Sequence, residues 1–190
     1  MSVIEQEIEH CLKVLKTGGT LLYPTDTIWG IGCDATDSLA VDKVYQLKRR
    51  RERKSLIILL DEAEKITDYV TAVPEIAWDL IDSVDTPLTI IYPKAKNLAA
   101  NVIADDRSIA IRIVRNDFCK RLISEFGKPI VSTSANISGH TPPMTYKNIA
   151  GEIISGVDHA VDESLDQLQQ VKASRIIKLN LNGEFRIIRH

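Results

Sequence analysis

What most limits the folds open to this chain is the shortness of its apolar runs and their alternation with stretches of helical period. The longest apolar run, Leu56–Leu60, is the length of a buried strand and far short of the ~20 residues that span a bilayer as a helix. Ile4, Ile8, Cys11, Leu12 and Leu15 fall on one face of a helix over Ile4–Leu15, ended by Thr17-Gly18-Gly19. Thr20–Tyr23 reads as a buried strand stopped by Pro24, and Thr25–Gly32 as a loop or short strand. Thr36 or Asp37 is expected to cap a helix with Leu39, Val41, Val44, Tyr45 and Leu47 on its apolar face. Further strands are expected at Ser55–Leu60, Pro87–Tyr92, Ser108–Ile113 and Pro129–Ser132. Helices are expected at Asp61–Tyr69, Pro74–Ser83, Asn116–Phe126 (closed by Gly127) and Thr145–Ile154. Val157–Val161, Arg175–Leu179 and Glu184–Ile188 close the chain as strands, the last two a hairpin around Asn182-Gly183. The alternation, with some antiparallel neighbours, predicts an α/β fold with a mixed parallel/antiparallel sheet flanked by helices. No repeat or linker divides the 190 residues, so one domain over 1–190 is expected.

Composition excludes several classes. Apolar residues make up 44% and charged residues 26% of the chain, an ordinary globular balance. The first ten residues carry Glu5, Glu7 and Glu9 and no apolar core, so no export signal and no membrane association are expected. Cys11, Cys33 and Cys119 are odd in number and form no CxxC; reduced thiols, a cytoplasmic location and no metal site are the expectation. His10, His140, His159 and His190 form neither HExxH nor a triad pattern and read as surface residues. There is no GxxxxGK[ST], no GxGxxG after the first strand and no GxSxG.

Three segments have the residue types for binding chemistry. Tyr23-Pro24-Thr25-Asp26-Thr27 follows a buried strand and offers two hydroxyls and a carboxylate, either to a small ligand or to its own turn. Lys48–Lys54 holds six basic residues and one acidic; without it, 18 basic and 25 acidic residues remain, against a net charge of −2 for the whole. Such a cationic cluster on an acidic body suits a local anionic partner, through bidentate arginine and point-charge lysine, unless it is a solvated surface. Val131–Gly139 reads Val-Ser-Thr-Ser-Ala-Asn-Ile-Ser-Gly after an apolar strand and offers hydroxyls, an amide and main-chain N–H groups to phosphate, or satisfies itself as a turn.

Taken in order, these segments resemble the YrdC/YciO family. Tyr23–Ala35 is similar to that family's Tyr-Pro-Thr-Asp/Glu-Thr opening, Lys48-Arg49-Arg50 to its Lys-x-Arg, Ile109–Arg112 to its Val-Ala-Val-Arg strand, and Ser134-Ala135-Asn136 to its Ser-x-Asn. Ser174 and Arg186–Arg189 are similar to its C-terminal strand pair. The departures are Arg51 for a proline, Val84-Asp85-Thr86-Pro87 for Trp-Pro-Gly-Pro, and Ala173-Ser174-Arg175 for Pro-Ser-Thr. The resemblance implies a YrdC-like fold with a twisted sheet and a concave, positive cavity. It implies a nucleotidyltransferase, the L-threonylcarbamoyladenylate synthase, making threonylcarbamoyl-AMP and pyrophosphate from L-threonine, bicarbonate and ATP, with Mg²⁺ accompanying the ATP. The product would pass to a tRNA-modifying transferase complex that forms threonylcarbamoyladenosine. Lys48, Arg50, Lys54, Ser134, Asn136 and Arg189 would hold ATP, with Lys48 and Arg50 catalytic; Thr27, Arg112, Ser132 and Ser174 would hold threonine. The alternatives are a module that binds double-stranded RNA or tRNA without catalysis and a divergent YciO-like paralogue. The resemblance also allows a synthase that touches tRNA or double-stranded RNA directly.

Overall fold

The computed structural model describes residues 2–50, 56–166 and 173–190. Helix α1 (Val3–Lys16) starts in a capping box: Glu5 N donates to Ser2 Oγ, and Ser2 N donates to Glu5 Oε2 at 2.7 Å. It buries Ile8, Cys11 and Leu15, whereas Ile4, in the first turn, stays exposed. Strands β1 (Leu21–Tyr23) and β2 (Gly30–Gly32) pair antiparallel, so Thr25–Gly32 divides into a loop and a short strand. Helix α2 (Ser38–Leu47) is capped by Asp37 and buries Ala40, Val41, Val44 and Tyr45. Leu39 corrects the sequence reading: it is 75% exposed, because the buried stripe begins one residue later and Leu39 falls beside it. Continued by a turn, the same stripe carries Lys48 inward.

Strand β3 (Ile57–Leu60) follows. The helix expected at Asp61–Tyr69 divides into a 3₁₀ turn, Ala63–Lys65, and a single α turn, α3 (Ile66–Tyr69). Then come α4 (Ile76–Ser83), β4 (Leu88–Tyr92), β5 (Ile109–Ile113) and α5 (Asp117–Phe126), the last capped by Asn116 and closed by Gly127 at φ +74°. Strand β6 (Ile130–Ser134) runs two residues further than the apolar pattern shows, since its end carries hydroxyls toward the site. The helix expected over Thr145–Ile154 is a 3₁₀ turn, Tyr146–Asn148, and a separate α6 (Gly151–Gly156). Ile149 and Ala150 between them are extended, and Ile149 is buried in the core. The chain closes with β7 (His159–Ala160), β8 (Arg175–Leu179) and β9 (Phe185–Arg189), the last two a hairpin with Gly183 at φ +85°.

Among the described residues nine strands form one mixed sheet in the order β7-β1-β2-β6-β3-β5-β4-β8-β9. Pairs β3–β5, β4–β8 and β1–β7 are parallel; the other five are antiparallel. Strand β6 joins the two halves: Ile130–Ser132 register with β3, while Thr133 and Ser134 register with β2. That junction needs Gly32, since a Cβ there would stand 2.3 Å from Val131 O and 2.7 Å from Tyr23 Cε1. Helix α1 packs on α5 and β1, and α5 on β3. Among the described residues no helix is long and apolar enough to cross a membrane.

Candidate functional site

A cavity of about 870 Å³ opens beside the β6 junction, a volume within the range of small-molecule sites. Its walls follow from strand alternation. Ser108, Ala110 and Arg112 face it from β5 and the turn before it, Ser132 and Ser134 from β6, and Ser174, Ile176 and Lys178 from β8 and its approach. The β1–β2 loop and the start of β2 add Thr27, Trp29 and Gly30, β9 adds Arg189, and the turn after α2 adds Arg50. Four cationic side chains, Arg50, Arg112, Lys178 and Arg189, and two carboxylates, Asp105 and Asp106, line it.

Arg112 is the most firmly placed of these. Its guanidinium is buried, stands 3.3 Å from Asp26 Oδ1 and donates to Thr27 Oγ1 at 3.1 Å. Thr27 is itself held by Thr25, whose hydroxyl lies 2.9 Å away, accepts from Thr27 N and donates to Ile28 O at 2.7 Å. The threonine-rich loop therefore does both things its composition allows: Thr25 ties the turn, and Thr27 faces the cavity. Asp26 supports the arginine rather than a ligand. Arg112 Nε is buried without a hydrogen-bond partner among the described residues.

Arg189 enters from the far end of the sheet. Its Nε donates to Ser174 O at 2.9 Å and its Nη2 to Ser174 Oγ at 3.2 Å; Ser174 Oγ also lies 2.8 Å from Thr89 Oγ1. Burial, and next the positive charge of Arg112, lower the Arg189 pKa. Two guanidinium groups thus share one cavity, an arrangement that an anion between them relieves.

Lys48 takes a different position. Its ammonium is buried behind the turn after β6 and donates to the main-chain oxygens of Ser134 and, at 2.7 Å, Asn136. Burial, and next the neighbouring Arg50 charge, lower its pKa to about 8, so it is largely cationic at neutral pH. Asn136 Nδ2 donates to His140 O at 2.6 Å and to Ile137 O at 3.0 Å, while its Oδ1 is buried without a partner among the described residues. Lys48 and Asn136 build the turn; Ser134 and Arg50 reach the cavity wall. The structure therefore brings Thr27, Arg50, Arg112, Ser132, Ser134, Ser174 and Arg189 to one cavity, with Lys48 and Asn136 immediately behind it. Lys54 lies outside the described residues.

Sequence reading missed Lys178 and Asp106, which pair at 2.6 Å, with Asp106 also accepting from Ser108. The Lys178 and Ser108 contacts hold the Asp106 carboxyl down at about 2. A period of two from Ser174 and from Arg112 points to both walls. The three cysteines are buried with thiol pKa values raised by burial, and none lines the cavity. His159 is not a plain surface residue: it lies half-buried in β7, with Nε2 2.7 Å from Glu7 Oε2.

The chain and its fold resemble known proteins. The Sua5–YciO–YrdC family model, described as telomere recombination, matches residues 13–190. The threonylcarbamoyl-AMP synthase of Pseudoalteromonas translucida is 32% identical over 183 residues, covering 95% of this chain and 96% of that protein. The threonylcarbamoyl-AMP synthase of Hahella chejuensis is 35% identical over 164 residues, covering 86% and 89%. The crystal structure of P. abyssi Sua5 complexed with L-threonine superimposes with a TM-score of 0.85 at 26% identity over 92% of this chain, which spans about half (51%) of that one. E. coli YciO superimposes with a TM-score of 0.84 at 18% identity over 98% of this chain and 89% of that one, a likeness of fold.

Proposed function

The chain belongs to the Sua5–YciO–YrdC family, and from that premise we propose that it is an L-threonylcarbamoyladenylate synthase. It joins L-threonine, bicarbonate and ATP into threonylcarbamoyl-AMP and releases pyrophosphate and the water lost when the threonine amine and bicarbonate form the carbamate, the nucleotidyl transfer that supplies tRNA threonylcarbamoyladenosine modification. The observation that carries this reading is the pair of guanidinium groups, buried Arg112 and the more open Arg189, sharing one cavity with the hydroxyls of Thr27, Ser132 and Ser174. The two curated relatives that carry the synthase name support it.

Arg112, Thr27, Ser132 and Ser174 hold threonine, Arg112 meeting its carboxylate as a charge-assisted partner. Arg50, Ser134 and Arg189 hold the nucleotide together with Lys54, and Lys48 and Asn136 shape the turn that receives phosphate. The carbamate oxygen formed from threonine and bicarbonate bonds to the α-phosphorus as the bond to the β-phosphate oxygen breaks. Charge grows on phosphate oxygens during that exchange, and cations already in place stabilise it without reorganising. Holding the two reactants in line removes ~7–11 kcal/mol from the barrier. No protein nucleophile is used, in keeping with thiols that are buried and hard to ionise. Mg²⁺ enters as part of the ATP substrate, held by phosphate oxygens and water. The same proposal includes a cytoplasmic location and delivery of the product to a tRNA-modifying transferase complex. RNA binding without catalysis is less favoured, because Arg112 is buried in the cavity wall and Arg189 is tied to Ser174 at the same cavity rather than spread over a surface.

The test is pyrophosphate release by the purified chain with ATP, bicarbonate and Mg²⁺. Release that requires both L-threonine and bicarbonate supports the synthase. A folded protein that releases none, beside an active synthase as control, overturns it.

A further inference from the structure

Glu7 and His10 stand one turn apart on α1, and His159 opens β7, the strand at the end of the sheet beside β1. They lie far apart in the chain and no spacing motif links them, yet the fold gathers them. His159 Nε2 is 2.7 Å from Glu7 Oε2, and the His10 and His159 rings meet edge to face with centroids 5.6 Å apart. One ligand-type atom from each side chain lies within 4.8 Å of the other two. We propose that Glu7, His10 and His159 form a binding site for a zinc-class divalent cation that ties α1 to β7.

Two imidazole nitrogens and one carboxylate oxygen are a donor set suited to zinc, leaving a fourth, tetrahedral position for water. Ligand atoms bound at about 2.0–2.2 Å stand roughly 3.3–3.6 Å apart around a tetrahedral ion. Closure therefore asks the Glu7–His159 contact to open by roughly 0.6–0.9 Å and His10 to swing in by up to about 1.2–1.5 Å, within reach of side-chain rotation. The Glu7 and His159 side chains are 14% and 22% exposed, so their geometry is already fixed by packing, while His10 is exposed and leaves an entry path from solvent. A Glu–His hydrogen bond alone would anchor the strand to the helix, but it gives no reason for a second imidazole at the same point. Magnesium, which favours six oxygen ligands, does not suit this set, so the site is separate from the ion that accompanies ATP. No residue of α1 or β7 lines the large cavity; the ion acts on stability rather than on the reaction, and the inference does not depend on the proposed activity.

The test is titration of the untagged chain with ZnCl₂ by calorimetry and thermal melting, and with CoCl₂ by visible spectroscopy. Expected are one ion per chain, a melting temperature raised by about 5–10 °C at a free ion concentration near a hundred times Kd, and cobalt bands of a tetrahedral nitrogen–oxygen site. His10→Ala, at an exposed position, should keep the fold and weaken binding by more than about tenfold; His159→Ala should do the same. The absence of one-to-one binding, unchanged binding by His10→Ala, or a thiolate charge-transfer band would each overturn the proposal.

Discussion

Replacing Arg112 by methionine separates what this residue does for the fold from what it does for the substrate. In the folded protein Arg112 and Asp26 are 4% and 9% exposed, and the closest approach is 3.3 Å. Removing the guanidinium leaves a buried carboxylate without its cation, a loss of about 3–5 kcal/mol for pairs of this kind. The long contact and the Arg115 N–H that also reaches Asp26 at 3.4 Å place it near the lower end, about 3 kcal/mol. For a domain of this length that lowers the melting temperature by roughly 6–12 °C. Adding Asp26→Asn removes the stranded charge, so the double variant should recover most of the lost stability. It should not recover activity, because a charge-assisted hydrogen bond to the threonine carboxylate contributes about 1.5–3 kcal/mol, or roughly 10- to 150-fold in kcat/KM for threonine. Chemical denaturation and pyrophosphate release on wild type, both single variants and the double variant give the complete cycle. Equal stability of Arg112→Met and wild type would refute the buried-pair argument. Recovery of threonine kcat/KM in the double variant would refute direct contact with substrate.

Three further outcomes are expected. Because burial lowers the Lys48 pKa to about 8, the folded chain gives up this proton before the unfolded chain does. Between pH about 8 and the ordinary lysine range the unfolded chain holds more protons, so Lys48 makes stability rise with pH in that window, while activity falls as the ammonium is lost. Lys48→Met should remove this contribution to the pH dependence of the urea midpoint. Gly32→Ala places a methyl group against Val131 O and the Tyr23 ring; the clash should cost at least ~1–3 kcal/mol in denaturant unfolding. Ser174→Ala frees the Arg189 Nη2 contact and leaves Thr89 Oγ1 without its hydroxyl partner, with an expected loss of ~1–3 kcal/mol in stability and a raised KM for threonine.

Most strands and the α1, α2 and α5 helices were readable because each is specified locally, by capping residues, glycine stops and apolar period. Thr145–Ile154 was not, because Ile149 leaves the helix to reach the core, and tertiary burial outweighs a short run's propensity. Leu39 shows the same limit from the other side, since apolar character alone does not say where the buried stripe begins. Within the site, Thr27, Arg112, Ser132, Ser134 and Ser174 were legible as members of ordered motifs, and the structure gathers them at one cavity. Three facts had no signature along the chain: that Asp26 serves Arg112, that Lys48 lies behind its turn, and that Glu7, His10 and His159 meet. Each is a pairing between segments that are neighbours only once the sheet exists.

The position of β6 between β2 and β3 also sets the order of events during synthesis. The β1–β2 hairpin and β3 emerge early, but β3 waits for a neighbour about 70 residues further on and β2 for the same strand about 100 residues further on, delays of ~4–15 s and ~5–20 s at ~5–20 residues per second. Throughout that interval both strands present unpaired main-chain groups. Arrival of Ile130–Ser134 pairs with both at once and, in the same event, brings Ser132 and Ser134 to Arg112 and Thr27. A nascent chain stalled before this strand therefore has the makings of a cavity, two sticky borders and no site, which makes this the stage of biosynthesis at which a chaperone has most to protect.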